Sequence, residues 1–355
     1  MIKNINKPQN KIPKLLITSI LGLVLIVILF SINIALGSVN IPFNKIINSL
    51  QEVNADNIVW KNIILHTRLP QAIVALAAGS ALGVSGLLMQ TLFKNPLAGP
   101  SVLGISSGAG LGVAFVIMVA GQIFNISFTA LGNYGNIIIL LAALIGSLGI
   151  LMIILFVSHK VGGSLAVLIM GVMIGYMSNS LVSIMKFYSL EEDVHTYVIW
   201  GLGSFSRLSL EQAKIFLLIA IIPTLLTILL AKPLNLLSLG DNYARNLGLK
   251  IQRARFIVIL VAGILTAIVT AFAGPIIFIG MAVPHMAKIV SRTSNHFHLI
   301  INSAILGAAT ALFCNLIARM PGIDSSLPIN SVTAFVGAPV VISVIWKRRK
   351  DQLMQ

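Results

Sequence analysis

The stretch 136–158, NIIILLAALIGSLGILMIILFVS, carries no charged residue and is long enough to cross a bilayer as one helix. Only 9% of the 355 residues are charged, whereas soluble domains carry about a quarter. We therefore predict an all-α polytopic membrane protein of about ten transmembrane helices, with 1–355 as a single transmembrane domain. The other predicted spans lie at about 15–37, 70–92, 101–121, 164–186, 212–231, 255–273, 276–291, 299–318 and 332–346.

The window at 276–291 lies in a region rich in helix breakers, from Gly274-Pro275 through Gly280 to Pro284. Such breaks are tolerated at membrane depth where the freed backbone groups face protein or a water-filled cavity. We therefore expect a short or broken helix at this point of the chain.

The net charge of +15 fits two kinds of protein, a nucleic-acid binder and a membrane protein with basic cytoplasmic loops. When the N-terminus is placed in the cytoplasm and ten spans alternate, the whole basic excess falls on the cytoplasmic side. Lys3 and Lys7 then lie inside, whereas Lys45 and Asp324 lie outside. The sequence thus predicts both termini in the cytoplasm and no nucleic-acid partner.

Small residues recur at four-residue spacing in two of the predicted spans. Gly79 and Gly83 lie in the second span, and Gly104, Gly108 and Gly112 lie in the third. Glycines at this interval let helices approach closely in lipid. We interpret them as helix-packing positions, because a dinucleotide-binding glycine loop requires a preceding strand that this region does not provide.

The segment 232–254 is the longest predicted cytoplasmic connection. Asp241 and Gly248 have the residue types of an N-cap and a C-cap, which predicts a short helix at 242–247. Such a basic, capped helix suits docking of a soluble partner, and an ordinary solvated loop is the alternative.

Two classes of activity other than subunit-driven transport remain open from the residues alone. Ser85 lies in a Gly-Val-Ser-Gly tetrad similar to that of rhomboid intramembrane proteases, which also require a histidine base. An ion-coupled secondary transporter usually places acidic groups inside the membrane, and no predicted span contains one. The chain also lacks a P-loop, so it does not itself bind ATP through one, and for a transporter we expect the energy to come from a separate subunit.

An ordered set of short motifs covers nearly the whole chain after the first span. Together they resemble the FecCD family of permeases, which import iron–siderophores, haem and cobalamin. The motifs are Arg68-Leu69-Pro70, QTLFKNPLA at 90–98, LGISSGA at 103–109, WGLGS at 200–204, ARNLG at 244–248, GMAVPH at 280–285 and GAP at 337–339.

The resemblance implies an alternating-access permease in a bacterial cell membrane, paired as a homodimer or with a related permease. It implies an ABC ATPase partner that binds ATP and magnesium, and no cofactor or metal on this chain. The ATPase would dock on 232–254, through Asp241, Ala244, Arg245, Leu247 and Gly248. A substrate-binding protein would dock through Arg68 and Arg319.

The transported chelate would move intact through a wide path lined by small and hydroxyl-bearing residues. The candidates are Ser85, Ser106, Ser107, Ser178 and Asn179. His285 ends one of the motifs, and we interpret it as a structural histidine.

Overall fold

The fold is helical throughout the described chain, which comprises residues 11–37, 55–124, 131–161, 163–320 and 326–353 of a computed structural model. The prediction of an all-α polytopic protein is confirmed. Four of the charges that entered the topology argument, Lys3, Lys7, Lys45 and Asp324, lie outside the described residues.

Fifteen α-helices form most of the described part of the chain. In chain order they are α1 Lys11–Ala35, α2 Ala55–Ile63, α3 Leu69–Phe93, α4 Ile105–Ala114, α5 Gly121–Phe124, α6 Asn133–Lys160, α7 Ser164–Tyr188, α8 Glu191–Gly201, α9 Leu210–Leu226, α10 Ala231–Ser238, α11 Asp241–Asn246, α12 Ile251–Ala273, α13 Phe278–Ser291, α14 His296–Ala318 and α15 Ile329–Leu353. Single π or 3₁₀ turns join α2 to α3, α4 to α5 and α9 to α10.

Ten apolar helical segments are found in the described part of the chain. Eight are long and apolar enough to cross a membrane, and two shorter ones are α13 and Ile329–Val344 of α15. The most apolar 18-residue window of the α2–α3 segment is 83% buried, whereas that of α1 is 11% buried. The α3 helix therefore lies at the centre of the bundle, and α1 lies at its edge.

The short helix α13 is the broken element expected from the sequence. Its 14 residues span about 21 Å, less than the hydrocarbon thickness of about 30 Å. Four residues outside any helix, Gly274 to Ile277, precede it. Neighbouring segments satisfy the backbone around this break, because the Ile277 N–H donates to Asn330 Oδ1 at 3.4 Å and the Ser204 N–H donates to the Ala273 carbonyl at 2.8 Å.

The central helix α3 packs through glycines, as its composition indicated. A Cβ atom at Gly79 would overlap the carbonyl oxygen of Gly307 on α14, and one at Gly86 would overlap that of Gly280 on α13. Gly83 lies against the Ser303 carbonyl of α14 in the same way. Even alanine at these points would force the backbones apart.

The glycines of the third predicted span divide between two roles. Gly108 and Gly112 lie on α4 at its crossing with α6, against Gly146. Gly104 is not part of that helix: it precedes α4 with φ +77°, a left-handed conformation, and contacts Gly171 and Gly175 of α7. The expectation of three glycines along one helix face is corrected in this respect, because the chain turns at Gly104.

The single cysteine of the chain is part of the same core. Cys314 on α14 has no exposed surface and packs among residues of α3 and α9 such as Ala78 and Phe216.

Candidate functional site

Polar contacts between helix ends define two opposite ends of the bundle. Lys94, Asp241 and Arg255 meet at one end, which we call the basic end. Asn235 and His296 join them there through a hydrogen bond of 2.7 Å between Oδ1 and Nδ1. The opposite end carries the last turn of α1, the start of α3 and the loops that follow α8, α12 and α14.

The short helix α11 at the basic end has a well-formed C-terminus. Gly248 follows it with φ +85°. The Gly248 N–H donates to the Arg245 carbonyl at 2.9 Å, and the Leu249 N–H donates to the Ala244 carbonyl at 2.9 Å. These two bonds form a Schellman motif, in which glycine is favoured because it accepts the left-handed conformation without strain.

The predicted N-cap at Asp241 is wrong by one residue. Gly240, with φ +110°, precedes the helix, and Asp241 is its first helical residue. The Asp241 carboxylate is engaged elsewhere, because Oδ2 accepts a hydrogen bond from Arg255 and Oδ1 lies 3.7 Å from Lys94 Nζ. Asp241 therefore ties α11 to the start of α12 and the end of α3.

The outer face of α11 is exposed and partly apolar. Ala244 is fully buried, whereas Tyr243 and Leu247, one turn apart, are 68% and 59% exposed. Arg245 and Gly248 are also exposed, and they line a cavity of about 1000 Å³ beside the helix. An apolar pair on a fixed, exposed helix is what a docking element requires.

The loop after α3 connects this helix to the membrane core. The His285 Nε2–H of α13 donates to the Pro96 carbonyl at 2.8 Å. One turn before the loop, the Gln90 side-chain N–H donates to the Met281 carbonyl at 3.0 Å. The loop is thus held by α11 through Lys94 and by α13 through His285.

The path candidates lie in three different environments. Ser85 and Ser178 are buried within the bundle, and their hydroxyls donate to the carbonyls of Ala262 and Ile174 at 2.9 Å. In this conformation they do not line an open path, because helix rotation turns them inward. The expectation for these two residues is corrected.

The other three candidates lie at or near the surface of the bundle. Ser106 and Ser107 are half-buried near the start of α4, and Ser106 bonds to Thr270 at 3.2 Å. Asn179 is exposed near the middle of α7. Ser180 and Ser183 follow it on the exposed surface of the same helix. The Ser183 hydroxyl donates to the Asn179 carbonyl at 3.0 Å. The Asn179 amide in mid-membrane requires protein or water beside it, because lipid offers no hydrogen bonds.

Arg68 at the opposite end forms hydrogen bonds within the subunit. It is 2% exposed, and Nη1 donates to the carbonyls of Ile34 and Ala35 at 2.9 and 2.6 Å. These carbonyls belong to the last turn of α1, which has no helical donors of its own. The expectation that Arg68 presents its charge to a binding protein is corrected for this conformation, because α1 occupies its donors.

Arg319 lies beside Arg68 and also binds α1. Its Nη2 donates to the Asn33 carbonyl at 3.1 Å and to Asn33 Oδ1 at 3.0 Å. Asn315 donates to the same Oδ1 at 2.8 Å. Burial and the nearby Arg68 charge lower the pKa of Arg319 to about 10, so the guanidinium remains charged at neutral pH. The side chain is half-buried, and a docking role for it stays a prediction.

A third arginine at this end was not singled out by the sequence. Arg207 Nη2 donates to the carbonyls of Ile199 and Trp200 at 2.9 and 2.8 Å, at the end of α8. Burial lowers the pKa of Arg207 to about 10. Its position three residues after the WGLGS motif is a local signal that could have indicated this role.

The geometry around Ser85 does not resemble a protease centre. Its hydroxyl bonds to the Ala262 carbonyl and lies 3.0 Å from the Thr266 hydroxyl, and neither group is a base that activates a serine.

Comparison with known proteins identifies the family. The model of the FecCD transport family matches residues 23–347. The vitamin B12 import system permease protein BtuC of Escherichia coli O9:H4 (strain HS) is 35% identical over 289 residues, which cover 81% of this chain and 84% of the relative. BtuC of Shigella sonnei (strain Ss046) is 36% identical over 286 residues, covering 80% and 83%.

Solved structures share the fold. One, described as an inward-facing conformation of a metal-chelate type ABC transporter, has a TM-score of 0.79 and 27% identity, and covers 93% of this chain and 98% of its own. PsaBC from Streptococcus pneumoniae in complex with Fab has a TM-score of 0.52 at 15% identity and covers 83% of this chain and 92% of its own, which reflects the fold alone.

An ion-coupled carrier and an intramembrane protease are therefore set aside, and the expected multi-pass location in the bacterial inner membrane is supported. The chain belongs to the FecCD transport family and is the permease subunit of an ABC importer.

Proposed function

We propose that this permease imports a bulky metal chelate, and that vitamin B12 is the first cargo to test. The matched relatives carry vitamin B12 import in their names, and the structural neighbour is described as a metal-chelate transporter. Ferric siderophores and haem, which the family resemblance also suggests, are the competing cargoes. The chelate would travel intact, so the subunit would need no metal ligands of its own.

The exposed face of α11 is the observation that carries the mechanism. Tyr243 and Leu247 would insert into a groove of an ABC ATPase, which holds the ATP and magnesium. Closure of the ATPases would push α11, and Asp241 would pass the movement to α3 and α12 through Lys94 and Arg255. Alternating access would follow, because α3 contacts most of the helices in the core.

The polar surface of α7 supports a path between two permease subunits. Asn179, Ser180 and Ser183 are exposed in the middle and second half of this span. A second copy, or a related permease, would cover this face and enclose a water-filled path. A substrate-binding protein would deliver the chelate at the opposite end, where Arg319 remains the candidate contact.

Reconstitution tests the proposal. The permease, its partner ATPase and its binding protein are placed in liposomes with ATP, and uptake of vitamin B12, a ferric siderophore and haem is compared. We expect ATP-dependent uptake of one of these compounds, with vitamin B12 favoured. Equal uptake without ATP would contradict an ATP-driven importer, and uptake of a siderophore or haem alone would exclude vitamin B12 as the cargo.

A further inference from the structure

A cavity of about 570 Å³ opens at the basic end among the ends of α3, α10, α13 and α14. It shares no lining residue with the cavity beside α11. None of its lining residues is acidic. Its charged and hydroxyl-bearing lining includes Lys94, Lys288, Arg292, Thr293 and Ser294. The lining holds three cations and no acid, and although Lys94 also lies 3.7 Å from Asp241 Oδ1 outside the lining, the excess of positive charge favours an anion.

Two of these cations occupy backbone positions that favour glycine. Lys94 follows α3 with φ +51°, and Arg292 follows α13 with φ +46°. Among the described residues, they are the two non-glycine residues with positive φ. Side chains are strained in this region, and helices that end this way usually carry glycine. Both strained positions carry a cation, and both cations line the same cavity, which indicates that the charges themselves are used.

The wall of the cavity is held in place by hydrogen bonds. His296 is buried, with Nδ1 2.7 Å from Asn235 Oδ1 and Nε2 2.9 Å from Thr91 Oγ1. Thr293 Oγ1 accepts from the Asn295 N–H at 3.2 Å, which leaves the threonine O–H to donate. A fixed wall with cations and hydroxyl donors suits the oxygens of a phosphate group.

The surroundings of the cavity favour a lipid as the source of that phosphate. Ile289 and Val290, just before Arg292, are 60% and 45% exposed, and Phe297 is 43% exposed. The cavity therefore lies where apolar spans end, at the depth of lipid headgroups. Basic pockets between helices at this depth bind anionic headgroups. We propose that the cavity binds the phosphate of an anionic phospholipid headgroup.

Lipid binding to the purified full chain tests this proposal without any transport measurement. Native mass spectrometry would follow titration with phosphatidylglycerol, with phosphatidylcholine and with inorganic phosphate. We expect phosphatidylglycerol to bind more tightly than phosphatidylcholine. Arg292→Gly should weaken phosphatidylglycerol binding about 5-fold, and the Lys94→Gly/Arg292→Gly variant about 25-fold. Lys232→Gln removes an exposed cation that does not line the cavity and should leave binding unchanged.

The glycine variants also separate a binding role from a structural one. Glycine relieves the positive-φ strain at both positions, so both variants should remain folded, with a melting temperature no lower than that of the wild type. Unchanged phosphatidylglycerol binding in the folded double variant would overturn the proposal. Equal affinity for phosphatidylcholine would also overturn it. Tight binding of inorganic phosphate that displaces the lipid would assign the cavity to a free anion instead.

Discussion

The two ends of this bundle use basic side chains in different ways. At the opposite end, Arg68 and Arg319 donate hydrogen bonds to backbone and amide oxygens of α1. At the basic end, Lys94 and Arg255 share the carboxylate of Asp241, and the Lys94 side chain is half exposed. The first arrangement fixes one helix permanently. The second joins three segments by contacts that can rearrange, which suits an end that receives motion from a partner.

The largest effect is expected at the exposed face of α11. Leu247→Asp places a charge on the apolar surface that we propose for ATPase docking. ATP-dependent uptake in liposomes should fall more than tenfold, while the melting temperature of the subunit stays unchanged because Leu247 is 59% exposed.

Asn242→Asp is the matched control, since it adds the same charge to the first turn of the same helix, where an anion is favoured. Uptake should remain near the wild-type value. Wild-type uptake by the Leu247→Asp variant would contradict ATPase docking on this face. It would also contradict the proposal that the basic end, and not the opposite end, receives motion from a partner.

At the opposite end the effect is expected on stability. Arg68→Ala removes a buried guanidinium and leaves the partly buried carbonyls of Ile34 and Ala35 without these donors, which should lower the free energy of unfolding by about 3 kcal/mol. Thermal unfolding in detergent measures this change. Lys214→Ala removes an exposed cation at the same end and should cost less than about 0.5 kcal/mol. A similar cost for both variants would mean that Arg68 does not fix α1.

A smaller change in stability is expected from Asp241→Asn. The ion pair with Arg255, whose side chain is 18% exposed, should contribute about 1 kcal/mol to the free energy of unfolding. The same variant should reduce uptake more than it reduces stability, because α11 would lose its attachment to α3 and α12. Thermal unfolding and uptake are measured on the same preparation. If stability fell while uptake held, the ion pair would be structural only.

The smallest effect is expected from salt. The Lys94–Asp241 pair is exposed, so its contribution of at most about 0.5 kcal/mol should disappear in 1 M salt. Melting temperatures of Lys94→Gln and the wild type should therefore converge as salt rises. The deficit of Arg68→Ala should persist, because Arg68 itself is 2% exposed and salt screens buried groups much less. Persistence of both deficits would contradict the proposed difference between the ends.

Much of the fold could be read from the sequence, since apolar windows and the Gly274-Pro275 break depend on local composition. The helix that contains the second window is longer than the window, because it continues from Ala55 through a π turn to Phe93. The predicted window began only at residue 70, because a hydropathy scale gives every arginine, including Arg68, the value of an exposed charge. In the fold this arginine is buried against another helix.

The candidate site was less predictable, because its contacts join distant parts of the chain. The sequence did not indicate that Lys94 or Arg255 pairs with Asp241. Counting charges assigns each residue to one side of the membrane but does not identify the residue that it contacts. Ser85 and Ser178 were taken as path residues from their chemistry alone, and the rotation of their helices turns them into the core. Gly248 after α11 could be predicted, because a left-handed backbone conformation at a helix C-terminus favours glycine.

The burial of Cys314 makes this chain a convenient starting point for labelling. It holds the only sulfhydryl, deep between helices, where maleimides and methanethiosulfonate spin labels do not reach. A cysteine introduced on α11 or on the exposed surface of α7 would react alone, in an otherwise native background. Distances between such labels could then report the opening and closing of the permease without prior removal of its native thiol.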